Sequence, residues 1–216
     1  MIHVLVLAFV LLATPAFAEW EAAFYSGGAF TNNTHLDSTE PPSVTLNRVK
    51  VDSSGTAGGK LGYWFTEISK SVALGAGIDV FYFRPNIPSQ TVELQFVGGS
   101  FPGEMTNPIN VRTIGIGFDV LKLRVPLFRD DEFPNGRFFP TAGVGPALFV
   151  SEFKLGNNKV NDTTIGLKAG GGAEFLLTQA VGLFAEYRFT HFKAESAGLS
   201  GNLNTHHITG GVALHF

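Results

Sequence analysis

Residues 206–216 read H-H-I-T-G-G-V-A-L-H-F and constrain the chain more than any other stretch. Ile208, Gly210, Val212, Leu214 and Phe216 fall on one face, and His207, Thr209, Gly211, Ala213 and His215 on the other. A period of two belongs to a strand, whose successive side chains point to opposite faces. Here one face is apolar and closes on an aromatic ring. Terminal residues of soluble domains usually fray and are polar. A strand that closes a transmembrane β-barrel, with its aromatic at the bilayer interface, accounts for the pattern. The last strand of a soluble sandwich is the competing expectation.

Composition separates the two. The chain has 26 Gly and 21 Phe but only 15% charged residues, an odd mixture for a soluble protein. It suits a small barrel, where aromatics face lipid and glycines let a narrow interior close. There is no cysteine, so neither disulfides nor thiolate metal sites are expected. The net charge of −3 and the lack of any basic block argue against nucleic acid as a partner. Residues 1–18 contain no acidic side chain, carry an apolar run over 4–13 and finish Ala16-Phe17-Ala18. They are expected to be a secretory signal peptide, since the apolar run is too short for a membrane-spanning helix. That leaves 19–216 as one domain.

Eight strands are predicted, over about 20–30, 58–66, 72–84, 112–127, 139–153, 164–177, 181–193 and the closing stretch. The first alternates poorly. Two long polar connections, 31–56 and 86–110, are broken by prolines and expected to be extracellular loops. Shorter connections lie at 67–70, 129–137, 156–161, 178–180 and 195–204. In the fourth strand the apolar set shifts from Ile114, Ile116, Phe118 and Val120 to Leu121, Leu123 and Val125, which predicts a β-bulge near Val120. No segment has the pattern of a long amphipathic helix.

Parity then places the charges. Lys168 and Glu174 share a face with Gly170 and Gly172, and Glu186 and Arg188 share one with Gly182. Asp79 and Asp119 fall beside glycines likewise. A Lys or Arg facing lipid at mid-bilayer costs roughly 2–4 kcal/mol, so all six are expected inside. There they form a self-satisfying charge network in a lumen too narrow for a water channel. An ion path or catalytic cluster is the alternative, and a general porin is not predicted. With the last hairpin turning near Leu199, His191, Lys193 and His206 come close on the outer face at the extracellular end, while His207 points inward. They are expected to form a solvated polar rim in contact with lipopolysaccharide. Alternatively, His191 and His206 act as bases or metal ligands. The motifs G-x-S-x-G, H-E-x-x-H and G-x-x-x-x-G-K-[ST] are absent.

Four stretches carry a family likeness: E-W-E-A-A-F-Y-S-G-G (19–28), A-G-G-K-L-G-Y-W-F (57–65), F-A-E-Y-R-F-T-H (184–191) and G-G-V-A-L-H-F (210–216). They resemble OmpA/OmpX-like outer-membrane β-barrel proteins over nearly the whole of 19–216. The resemblance implies an all-β, eight-stranded antiparallel barrel of up-and-down topology in a bacterial outer membrane. It implies a monomer without cofactor, in contact with outer-membrane lipid and lipopolysaccharide. Its last strand, ending in Phe216, would be recognised by the barrel-assembly machinery. The opening stretch and the closing hairpin also resemble lipid A oxidase-like barrels. That likeness implies oxidation of the lipid A sugar with a divalent metal, but no motif carries that family's active residues onto this sequence. Lipid A deacylase-like barrels place a serine two residues after a histidine in the penultimate strand. Here Phe192 and Lys193 follow His191, so the nucleophile is missing. The expected role is therefore structural or interactive, through the loops 31–56 and 86–110. A lipid A-modifying enzyme or a narrow channel is the alternative.

Overall fold

The computed structural model describes residues 19–38, 44–69, 72–96, 98–156, 158–196 and 198–216. The expected signal peptide, 1–18, lies outside them. The described residues form twelve strands. Eight build the barrel: β1 (Glu19–Thr31), β4 (Ser54–Ser69), β5 (Val72–Phe83), β8 (Ile109–Arg124), β9 (Phe138–Leu155), β10 (Asn158–Thr178), β11 (Val181–Ser196) and β12 (Leu199–His215). Each pairs antiparallel with the next, and β1 pairs with both β4 and β12, so the ring closes. Glu21 stands opposite Gly62 on one side and His215 on the other. Among the described residues no barrel edge is left unpaired, as a sheet in hydrocarbon requires.

The joints 125–137 and 179–180 lie at the same end as Trp20 and Phe216, whose backbones exchange two hydrogen bonds of 2.9 and 3.1 Å. This is the turn end, the periplasmic side in bacterial barrels. In β9 and β10, 18 and 21 residues long, there is far more strand than the roughly 9–11 residues that cross a bilayer. The surplus lies at the opposite, loop end, where the outward residues turn polar, as Glu152, Lys154, Lys193 and Glu195 do. Below them the outward face is apolar, with Phe24 70% and Ile208 61% exposed.

The structure departs from expectation in the long connections. Residues 31–56 contain β2 (Thr34–Ser38) and β3 (Thr45–Val49); 86–110 contain β6 (Gln90–Phe96) and β7 (Gly99–Met105). Together they form a sheet in the order β2-β3-β6-β7, seated on the rim of β12 where Leu199 and Ser200 face Ser38 and Asp37. These strands are short and polar on one face, so prolines and Ser/Asn content mask their alternation; of their apolar side chains Leu36, Val49 and Val92 are well buried. Pro102 is tolerated because β7 is the outer edge of the sheet. The connections expected at 156–161 and 195–204 shrink to hairpin tips, since β9 resumes as β10 at Asn158 and β11 as β12 at Leu199. The bulge is where the sequence puts it. The β8–β9 register shifts between Gly117 and Leu121, and Val120 and Leu121 both face outward.

Candidate functional site

The chemistry of this chain is concentrated inside the barrel, in three layers. The lowest is closed by the 125–137 connection, of which 129–137 were expected as a short charged turn. It folds Phe133 back under the barrel against Phe139 and Leu176, with the Arg137 guanidinium over the Phe133 and Phe175 rings.

Above this plug lies a charged layer. Arg124 donates to Glu19 at 2.5 Å, and His215 bridges Glu19 and Glu174, the latter at 2.6 Å. Both ring nitrogens of His215 face carboxylates, an arrangement satisfied when both carry protons. Glu21 accepts from Lys122 at 3.3 Å and from the Trp64 indole at 2.9 Å. Lys60 pairs with Glu186 at 2.7 Å, and Lys168 reaches both Asp79 and Asp119 at 3.0–3.1 Å. Arg188 pairs with Asp79 at 3.0 Å and Glu186 at 2.8 Å, and donates to the Tyr25 hydroxyl at 2.9 Å. Six carboxylates (Glu19, Glu21, Asp79, Asp119, Glu174, Glu186) thus meet five Lys/Arg side chains and His215. The space left among them is about 40 Å³, room for only a few waters.

All six charges that parity sends inward are here: Asp79, Asp119, Lys168, Glu174, Glu186 and Arg188. Glu19, Glu21, Tyr25, Lys60, Lys122, Arg124 and His215 belong to the same layer and were missed. Lys60 alternates with Leu61 and Tyr63, and Lys122 and Arg124 follow from the bulge, so those signals were available. Long side chains fit because facing positions lack a Cβ. One added at Gly182 would stand 2.1 Å from Glu174 Oε1, and one at Gly62 2.7 Å from Lys122 Nζ.

The middle layer is aromatic. Phe149 and Phe192 stack at 4.1 Å, and Phe81 and Phe83 pack edge-on against them. His207, fully buried as its inward parity predicts, presents its edge to Phe81 and Phe83. Its Nε2 meets the Thr190 hydroxyl at 3.2 Å, while Nδ1 has no partner among the described residues. The top layer, toward the loop sheet, is aliphatic and leaves a cavity of about 480 Å³.

The outward candidates do not converge. The His191 ring bonds Asn204 at 2.6 Å, His206 bonds the Tyr187 hydroxyl at 2.6 Å, and Lys193 pairs with Glu195 at 2.5 Å. In register His191 faces Asn204 and His206 faces Phe189. Among the described residues no three His, Asp or Glu side chains are grouped to hold a metal ion. The described residues therefore offer no three-ligand donor set for the divalent metal that a lipid A oxidase-like chemistry implies.

A family model described as "Outer membrane protein beta-barrel domain" matches residues 4–216. No curated protein sequence matches the chain. Among solved structures, OprG of Pseudomonas aeruginosa is similar at 11% identity and a TM-score of 0.50, over 92% of this chain and 96% of that one. Neisserial surface protein A is similar at 15% identity and 0.45, over 93% and 99%. Ail of Yersinia pestis is similar at 10% identity and 0.41, over 91% and 98%. With a closed ring of antiparallel strands, an apolar outer face and this match over nearly its whole length, the chain belongs to the outer-membrane β-barrel protein family and resides in the bacterial outer membrane.

Proposed function

We propose that this barrel is a monomeric surface-interaction protein with a sealed lumen, presenting its loop sheet outside the cell. One observation carries the reading: the two long connections are fused into a sheet that side chains lock together. His35 bonds Asn47 at 2.8 Å, Asn47 donates to Gln95 at 2.9 Å, and Thr45 donates to Asp37 at 2.7 Å. These bonds cross β2, β3 and β6, so the surface is ordered before any partner arrives, which lowers the entropy cost of binding. At its far hairpin Phe96 and Phe101 stack at 5.0 Å with Phe101 52% exposed, the kind of rigid aromatic that anchors interfaces. Beneath the sheet, the aromatic layer and the ion-paired layer leave little room for water, which supports a filled lumen. His191, Lys193 and His206 face outward below the sheet, where lipopolysaccharide headgroups are the natural contact.

The test compares cells carrying the full barrel with cells carrying one whose β2–β3 and β6–β7 hairpins are cut to short turns. Both should remain heat-modifiable on gels, and surface adhesion should fall only in the trimmed cells. Equal adhesion would overturn the role of the loop sheet. Planar bilayers containing the purified barrel should show no stable conductance steps; steps would overturn the sealed lumen.

A further inference from the structure

The cavity at the barrel mouth has a shape and a polarity that the surface role does not use. Val111, Phe153, Ala194 and Leu203 form its walls, and Leu36 and Ile87, from the two long connections, lean over it. Phe153 stands four residues above Phe149 on β9, and Ala194 two above Phe192 on β11, so the stacked aromatic pair lies below it. The cavity is therefore a blind pouch with an apolar floor. Its volume of about 480 Å³ lies within the range of small-molecule sites.

Asn158 and Lys159, at the tip of the β9–β10 hairpin, are the polar residues of its lining. The charge at that rim is unbalanced. Lys159 lies 3.4 Å and Arg112 3.9 Å from the same Glu152 carboxylate, and Lys154 stands opposite Lys159 in register. Arg112 and Lys159 share that one carboxylate on the outer side of the rim, and both side chains are exposed enough to swing toward a new anion. An occupant should thus have an apolar tail that ends blind and one anionic head.

We infer that the pouch binds a single fatty carboxylate, tail toward Phe149 and Phe192 and head at Lys159. This goes beyond the surface-interaction role and does not depend on it. The barrel in nanodiscs of chain-deuterated phosphatidylcholine, titrated with protonated palmitate, provides the test by nuclear Overhauser contacts to methyl groups. Palmitate methylenes should contact the methyls of Ala194 and Leu203. Contacts confined to the outward Ile208 and Val212 would overturn the site, because they mean partition into the bilayer. In a second arm, protonated phosphatidylcholine replaces palmitate. Contacts from it to Ala194 and Leu203 would reassign the occupant to a lipid acyl chain and overturn the carboxylate. Lys159→Glu, an exposed change that leaves the pouch walls intact, should weaken palmitate about tenfold while sparing hexadecanol. Equal loss of both, or of neither, would overturn the head-group assignment. Ala194→Trp should abolish binding of either in barrels that remain heat-modifiable.

Discussion

At the scale of the residue, Asp79 is the side chain on which the charged layer converges. It has no exposed surface and takes hydrogen bonds from Tyr25 at 2.5 Å and Lys168 at 3.1 Å, with Arg188 paired at 3.0 Å. Removing one partner of a buried ion pair strands the other, at a cost of about 3–5 kcal/mol. Arg188→Met should therefore lower the unfolding free energy of the refolded barrel, read from urea denaturation, by that amount. Because Asp79 has then lost one of its two cationic partners, Asp79→Asn added to Arg188→Met should cost less than the sum of the singles, a coupling that a double-mutant cycle reads directly. Gly115 makes the complementary case. A Cβ there would meet the Phe81 ring at 2.2 Å, so Gly115→Ala should destabilise by about 1–3 kcal/mol through overpacking. Parity alone sends Asp79 and Arg188 inward. It fails for Tyr25, Glu19 and Glu21, because Ala, Ser and Gly occupy both faces of β1 and no apolar stripe shows which side is which.

At the scale of the element, the β8 bulge decides which charges face lipid. Asp119, Lys122 and Arg124 are all buried although their spacing is odd then even, because Val120 and Leu121 both point out. Deleting Val120 restores strict alternation with all three still inside, and that barrel should fold and stay heat-modifiable. Deleting Ile116 instead turns Asp119 toward the bilayer, and folded yield measured by the same gel shift should drop sharply. Sequence periodicity located this bulge because four apolar residues alternate before the shift and three after it. It could not find β2, β3, β6 and β7, whose stability comes from pairing with each other and with β12 rather than from an apolar stripe of their own. The aliphatic pouch was illegible for a similar reason: Leu36 reaches it through that unforeseen pairing, and Ile87 through an isolated bridge to Ile109.

At the scale of the whole molecule, polarity inside the barrel is graded: ion pairs toward the turn end, aromatic rings in the middle, aliphatic side chains at the mouth. The outer face runs apolar to polar in the same direction, so the barrel is oriented by both its surfaces. Most neighbouring strands are joined by short connections, but the seam between β1 and β12 brings together Glu21 and His215, and the loop sheet is anchored where Leu199 meets Ser38. Such distant pairings carry the largest chain-closure entropy and form slowly. Trp20 sits on the seam, its amide donating to Phe216 at 2.9 Å. In a Trp64→Phe variant, Trp20 fluorescence should therefore mature after the circular dichroism of the strands, and simultaneous signals would contradict that order. Until the seam meets, the molecule is an open ribbon with two bare edges, and its outer sheet has nothing to stand on. The last event in folding therefore both seals the barrel in the membrane and gives it its outward face.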